Sequence, residues 1–145
     1  MSEARIRPAR PADAGAVAEL SGQLGYPVDA NEQARRLAPV LASERDAVLV
    51  AVDVADRPIG WIHVQERMLL EASGQALVAG LVVDAAHRSD GIGRALLAAG
   101  EAWARERGLA TMRVLSRVER ERAHRFYQRE GYRIIKRSLN FEKPL

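Results

Sequence analysis

Hydrophobic positions recur with two different spacings along the chain, and these spacings predict an alternation of strands and helices. Residues 76–83 are almost continuously apolar, which is typical of a strand buried on both faces in the parallel part of a sheet. From Ile92 to Trp103 the apolar residues are three or four positions apart, which indicates a helix. Gly108 then lies where a C-cap glycine would end that helix.

Two further helices and several strands complete the predicted order. Asp29 with Glu32, and Ser116 with Glu119, each match a capping box at the start of a helix. In chain order the predicted elements are a strand at 5–8, helices at 13–23 and 29–42, strands at 48–54 and 59–67, the strand at 76–83, the helix from Ile92, a strand at 111–115, a helix ending at Gly131, and strands at 132–135 and 139–141. This order predicts an α/β fold with a mixed sheet, and the length fits a single domain spanning 1–145.

The composition excludes several classes of protein. Hydrophobic residues make up 48% of the chain and charged residues 28%, which is ordinary for a globular domain. No apolar run approaches the roughly 20 residues of a membrane span, and the first residues lack the apolar stretch of a secretion signal. The chain has no cysteine, so thiolate metal sites and cysteine nucleophiles are excluded. We therefore expect a cytoplasmic protein without a metal.

The formal net charge of +3 is unevenly distributed. Residues 1–100 contain ten basic and thirteen acidic residues, whereas residues 101–145 contain twelve basic and six acidic ones. Such asymmetry is typical either of a polyanion partner or of a solvated, arginine-rich surface. Charge alone leaves both interpretations open.

The most informative segment connects the apolar strand at 76–83 to the next helix. That helix opens with Gly91 and Gly93, and glycines at this point let the backbone approach a ligand closely. The free N–H groups of a helix N-terminus attract phosphate, and Arg88 and Arg94 flank the turn. The segment lacks the third glycine of a dinucleotide-binding fingerprint and the Gly-Lys-Ser/Thr of a Walker loop. Taken alone, the glycines are equally consistent with a simple turn.

Two motifs in order resemble one known family. Arg88-Ser89-Asp90-Gly91-Ile92-Gly93 matches the R/Q-x-x-G-x-G/A signature of the GNAT family of N-acetyltransferases. Ala123-His124-Arg125-Phe126-Tyr127, followed by Gly131-Tyr132, resembles the second motif of the same family. The resemblance covers the whole chain. It implies a mixed, mostly antiparallel sheet with a splayed parallel strand pair, about four helices, and acetyl-CoA as the cosubstrate.

The resemblance also implies which residues bind the coenzyme. Backbone groups of Leu81, Val82 and Val83 would pair with the pantetheine arm in the gap between the strands at 76–83 and 111–116, as an added strand does. A backbone N–H near Val82 or Val83 would polarise the thioester carbonyl. The residues implied around the pyrophosphate are Arg88, Ser89, Asp90, Gly91, Ile92, Gly93 and Arg94. Tyr127 matches the family's tyrosine that faces the coenzyme sulfur, and it would protonate the departing thiolate. The alternative for Tyr127 is that it packs the last helix against the sheet.

The sequence departs from the family pattern at two points. Arg120 stands where relatives often have an asparagine that contacts the coenzyme, and no acidic residue occurs from 75 to 83, where some relatives carry a general base. His63 is the candidate base best tuned to neutral pH, with Glu66, Glu71 or a relay of waters as alternatives. The alternative for His63 is a surface histidine on a hairpin.

The acceptor pocket is expected between two groups of elements, the first two helices and the hairpin strands. Residues 24–27 would lie close to it. The acidic first hundred residues favour a cationic acceptor such as a polyamine, an aminoglycoside or a protein amino group, and the C-terminal segment favours a small amine. The predicted function is therefore direct N-acetylation of a primary amine on a small cationic molecule. The alternatives are a catalytically silent acyl-CoA sensor and a protein amino-group acetyltransferase. Nucleic-acid binding is disfavoured because exposed aromatic residues are not interleaved with the arginines. A homodimer is one candidate assembly.

Overall fold

A five-stranded sheet organises the first part of the chain in the computed structural model, which describes residues 4–88 and 90–145. The described residues form two compact units, 4–115 and Ser116–Leu145. The helices and strands are β1 (Arg5–Pro8), α1 (Ala14–Leu24), α2 (Ala30–Ala42), β2 (Asp46–Val52), β3 (Pro58–Arg67), β4 (Gln75–Val83), α3 (Ile92–Glu106), β5 (Met112–Val114) and α4 (Glu121–Arg129).

The strands follow one another in the sheet in the order β1-β2-β3-β4-β5. The first three pairings are antiparallel. Short connections join β2 to β3 and β3 to β4, whereas α1 and α2 lie between β1 and β2. β4 and β5 are parallel, and α3 is the crossover between them. The predicted fold class, a mostly antiparallel mixed sheet with one parallel pair and four helices, is confirmed.

Alternating residues of β3 face opposite layers of helices. Gly60 packs against Leu96 of α3 so closely that a Cβ on this glycine would lie 3.1 Å from the leucine Cδ1. Trp61, the next residue, packs on the other face against a cluster that includes Val17 of α1 and Leu37 of α2. This period-two alternation explains how one strand contributes side chains to two different layers.

Two helix ends have the capping residues that the sequence predicted, at the start of α2 and after α3. The Asp29 carboxylate accepts a hydrogen bond from the Glu32 N–H at 2.8 Å, which confirms the start of α2. Gly108 adopts a left-handed φ of 74° directly after α3, as expected for a glycine that ends a helix.

A buried ion pair connects β1 to the start of α1. The Arg7 guanidinium donates two hydrogen bonds to the Asp13 carboxylate at 2.8 and 3.0 Å, and both side chains are less than a tenth exposed. Asp56, from the turn between β2 and β3, accepts a further hydrogen bond from Arg7 at 3.0 Å. The network joins three chain segments at one end of the sheet.

The second unit differs from its prediction. α4 begins at Glu121 rather than at a Ser116 cap, because residues 117–120 form a turn in which the Arg120 N–H donates to the Arg117 carbonyl. The predicted strands at 132–135 and 139–141 are absent, and Leu139 and Phe141 are almost fully exposed. A strand needs a paired neighbour, and neither segment has one among the described residues. The single domain stays a prediction. Within the described part of the chain, no helix is both long and apolar enough to cross a bilayer.

Candidate active site

The edge of β4 that faces β5 is paired along only part of its length. The parallel ladder runs from Ala76, opposite Met112, to Val78, opposite Val114, and ends there. β4 continues to Val83, so residues 79–83 have no strand partner on that side within the described structure. The register with β3 shifts at the same point, where Ala79 is an extra residue that forms a β-bulge.

Backbone direction decides which groups of β4 face the unpaired side. The Asp84 N–H donates to the Ile59 carbonyl at 2.8 Å, so Asp84 points toward β3. Because successive residues of a strand point to opposite edges, the backbone groups of Leu81 and Val83 face away from β3, and those of Val82 face toward it. Two of the three predicted pantetheine-pairing residues therefore have N–H and C=O groups on the unpaired side. The Arg88 Nε lies 3.4 Å from the Val83 carbonyl oxygen and donates to it.

The predicted phosphate-binding turn forms the N-terminus of α3. Gly91 is the N-cap residue with a left-handed φ of 76°, so no side chain caps the first helical amides from that position. The first turn contains no acidic residue, so no carboxylate within it offsets the positive end of the helix dipole. This arrangement has the chemistry of an anion site.

The residues of this turn differ in exposure. Arg88, Asp90 and Arg94 are exposed, whereas Ile92 is buried in the core, so Ile92 offers the turn its backbone only. Gly93 lies in the first turn of α3. Ser89 was also predicted to bind the coenzyme, but it lies outside the described residues.

A side chain from α1 holds the loop before this turn. The Gln23 amide donates to the Asp84 carboxylate at 3.2 Å and accepts from the Ala85 N–H at 2.9 Å. Sequence reasoning missed Gln23, because its partners lie about 60 positions away and no local pattern links them.

A cavity of about 410 Å³ lies between α1, α2 and the sheet. Its lining is mostly apolar and consists of Val17, Ser21, Leu24, Tyr26, Val28, Gln33, Arg36, Leu37, Val40, Val48, Trp61, His63, Ala79 and Gly80. The expected acceptor pocket was placed at these elements, and Tyr26 is part of its wall. Ala79 and Gly80 also line the cavity, and they lie where the part of β4 without a β5 partner begins.

His63 lies in this cavity wall, not on the open surface of a hairpin. It pairs with Gly80 across the β3–β4 ladder, beside the bulge, and its side chain is 20% exposed. Its Nε2 lies 2.7 Å from the Oδ1 of Asp46, the first residue of β2. Sequence reasoning missed Asp46, since only the pairing of β2 with β3 brings the two side chains together.

The alternative bases are less well situated. The Glu66 carboxylate accepts two hydrogen bonds from the Arg107 guanidinium at 2.8 and 3.0 Å. Glu71 is exposed in the connection between β3 and β4 and does not line the cavity. Of the three candidate side chains, only His63 faces the cavity.

The second unit contains Tyr127, which lies within α4. Its ring packs edge-to-face against Phe126, with centroids 5.1 Å apart, and against Tyr132 at 5.8 Å. Burial raises the pKa of Tyr127 to about 12, against a smaller lowering effect of the Arg120 charge. The phenol is therefore protonated at neutral pH. His124 Nε2 lies 2.8 Å from the Arg117 carbonyl oxygen and bonds the turn before α4.

Comparison with known proteins identifies the class. The profile of the acetyltransferase (GNAT) family matches residues 17–132, which is most of the chain. The chain belongs to this family, and its class is that of an acetyl-CoA-dependent N-acetyltransferase. Among curated proteins it is similar to an aminoglycoside N(6')-acetyltransferase type 1 of Stenotrophomonas maltophilia. The two are 35% identical over 144 residues, which cover 97% of this chain and 93% of the relative.

Solved structures share the fold along the whole chain. The aminoglycoside antibiotic 6'-N-acetyltransferase AAC(6')-Ih from Acinetobacter baumannii matches with a TM-score of 0.87 at 18% identity, covering 99% of both chains. AAC(6')-Iy, in complex with the bisubstrate analog CoA-S-monomethyl-acetylneamine, also has a TM-score of 0.87 at 18% identity, covering 99% of this chain and 100% of the other. The family resemblance predicted from the two motifs is confirmed.

Proposed function

We propose that this acetyltransferase moves the acetyl group of acetyl-CoA directly to the primary amine of a small cationic molecule held in the cavity. The observation that carries the proposal is the position of Ala79 and Gly80. These residues border the cavity and also mark the start of the unpaired edge of β4. An amine in the cavity would lie beside a thioester held along that edge, and direct transfer needs the reacting atoms within about 3–3.5 Å.

The chain's own groups fit the coenzyme. The backbone groups of Leu81 and Val83 would pair with the amides of the pantetheine arm, as an added strand does. The first amides of α3, with Arg88 and Arg94 beside them, would hold the pyrophosphate. Acetyl-CoA supplies the acyl group as an activated thioester. Val82 supports this arrangement from the other side, because its backbone keeps β4 bonded to β3.

His63 is proposed as the base that accepts the amine's proton. An ammonium group has no lone pair, so a proton must leave before the nitrogen can attack. A neutral imidazole can accept that proton near neutral pH, and this one lines the cavity at the strand position opposite Gly80. From the ring the proton then passes to solvent.

Tyr127 is proposed as the acid that protonates the departing thiolate, on the strength of the motif match. Its raised pKa keeps the phenol protonated at neutral pH, so the proton is present when the thiolate leaves. The two proposed proton transfers therefore use different side chains.

The relatives support an aminoglycoside-like acceptor, since the curated relative is named for acetylating one. A second acceptor class is favoured by the cavity itself. Its described lining is mostly apolar, with Arg36 and His63 but no carboxylate to balance several positive charges. Three carboxylates on or beside α1 and β3 are paired with arginines instead: Asp13 with Arg7, Glu19 with Arg57, and Glu66 with Arg107. This lining favours an acceptor with one amine and an apolar body.

A panel of amines with acetyl-CoA, read by release of free thiol, tests the function. The panel should contain neamine, spermidine, an arylalkylamine such as phenethylamine, and a lysine-containing peptide. We expect turnover with at least one small amine, and the best substrate decides between the two acceptor classes. Tight acetyl-CoA binding without turnover on any amine would indicate a sensor. Turnover on the peptide alone would indicate a protein acetyltransferase. The cytoplasmic location and the homodimer stay predictions.

A further inference from the structure

One carboxylate lies directly behind the proposed base. The Oδ1 of Asp46 is 2.7 Å from His63 Nε2 and 3.2 Å from the Nε2 of Gln65, which donates to it. Asp46 is 14% exposed and does not line the cavity, whereas His63 does. The three side chains thus form a chain of contacts that runs from the β2–β3 pair toward the cavity.

The ionisation of Asp46 decides which ring nitrogen of His63 carries the proton. Burial would raise the pKa of Asp46, but hydrogen bonds from Ser43, His63 and Gln65 outweigh burial and hold it below its ordinary value. An ionised carboxylate only accepts hydrogen bonds, so His63 Nε2 must be the donor. In the neutral ring Nδ1 then has the lone pair.

We infer that Asp46 is a positioning residue for acetyl transfer, which fixes His63 with Nε2–H bonded to the carboxylate and Nδ1 free to take the amine's proton. The inference rests on the proposed function. In this step the N–H bond of the amine breaks, the proton bonds to Nδ1, and the imidazolium formed is stabilised by the negative charge of Asp46. The proton then leaves to solvent and restores the neutral ring. Arg36 and Tyr26 are the other ionisable side chains of the described lining, and neither is a carboxylate that could replace Asp46.

A purely structural role makes a different prediction. In that case Asp46 only bonds β2 to β3, and its loss would slow the enzyme independently of His63. A double-mutant cycle separates the two roles, because residues that act as one unit lose activity non-additively.

The experiment measures kcat with the best amine of the panel for Asp46→Asn, His63→Gln and the double variant. Asp46→Asn keeps the shape of the side chain, and we expect it to lower kcat by more than about tenfold. The double variant should be no slower than His63→Gln within about twofold. The dissociation constant for acetyl-CoA should stay within about twofold of wild type in all three variants, because neither side chain belongs to the proposed coenzyme site. Glu19→Gln, which removes a carboxylate from an exposed ion pair with Arg57, is the matched control and should retain wild-type kcat.

The ¹⁵N shifts of the His63 ring provide a second readout. They should report the Nε2–H tautomer in the wild type and a loss of that preference in Asp46→Asn. Losses that multiply in the double variant, or full kcat in a folded Asp46→Asn, would overturn the inference and leave His63 as the base. Full kcat in His63→Gln would instead refute the proposed base itself.

Discussion

Replacing Asp13 by asparagine tests the network that joins β1 to α1. The substitution keeps the size of the side chain but removes the charge that faces Arg7. The Asp13 carboxylate accepts hydrogen bonds from the Arg7 guanidinium at 2.8 and 3.0 Å and from the Arg10 N–H at 2.7 Å. Breaking a buried pair typically costs about 3–5 kcal/mol, because one charge remains buried without its partner. Asp56 still contacts Arg7 at 3.0 Å, so we expect about 3 kcal/mol, the lower end of that range.

The assay is urea unfolding of wild type and Asp13→Asn at pH 7 and at lower pH. The hydrogen bonds from Arg7 hold the pKa of Asp13 below its ordinary value. A carboxyl group of this kind stabilises the fold above its unfolded pKa of about 4, and this contribution is lost as the pH falls through the folded value. The difference in free energy of unfolding between wild type and Asp13→Asn should therefore be largest at pH 7 and should shrink below about pH 4. Glu19→Gln, from an exposed pair, should cost under about 1 kcal/mol. If Asp13→Asn lowers the free energy of unfolding by no more than Glu19→Gln does, the reasoning is refuted.

Three further substitutions test the coenzyme site and the acid. Gly91→Val forces a branched residue to a φ of 76°, so the amides of α3 should shift and acetyl-CoA affinity should fall by about tenfold or more in calorimetry. Gly15→Ala, where an added Cβ meets nothing within 4 Å, is the control, and undiminished affinity in a folded Gly91→Val would exclude the phosphate site. Because the coenzyme is a polyanion, its affinity should fall as the salt concentration rises, and Arg88→Ala should flatten that dependence. An unchanged salt dependence would mean that Arg88 does not contact the coenzyme. Tyr127→Phe removes one hydroxyl, so kcat should fall towards the range of about 10²–10⁴-fold while coenzyme binding stays constant, and full turnover would eliminate the acid role.

The sequence predicted those parts of the fold whose signals are local. The Asp29 cap, the apolar strand β4 and the glycine that ends α3 were each predicted from adjacent residues and confirmed. The segment after α4 was predicted wrongly, because its apolar residues have the spacing of strands but no partner strand in the described chain. Strand formation depends on a neighbour, which a single segment does not reveal.

The candidate site divides in the same way. The glycine turn was visible as a motif, and Gly91 has the left-handed φ of 76° that favours glycine. Asp46 and the bulge at Ala79 were not visible, since they depend on the register of β2, β3 and β4. His63 was named as a candidate from its chemistry alone, and its place in the cavity wall came only from the fold. The negative charge of the first hundred residues did not predict the charge of the cavity lining, which contains no carboxylate among the described residues.

The central claim is that acetyl transfer occurs in the cavity beside His63, and one pair of measurements on His63→Gln tests it most directly. With the best amine, kcat should fall by about 10²-fold or more, while the dissociation constant for acetyl-CoA changes by less than about twofold. Glu66→Gln is the comparison, because Glu66 was an alternative base and is bonded to Arg107 away from the cavity lining; its kcat should fall much less. A fully active His63→Gln, or a larger loss of kcat in Glu66→Gln, would contradict the account.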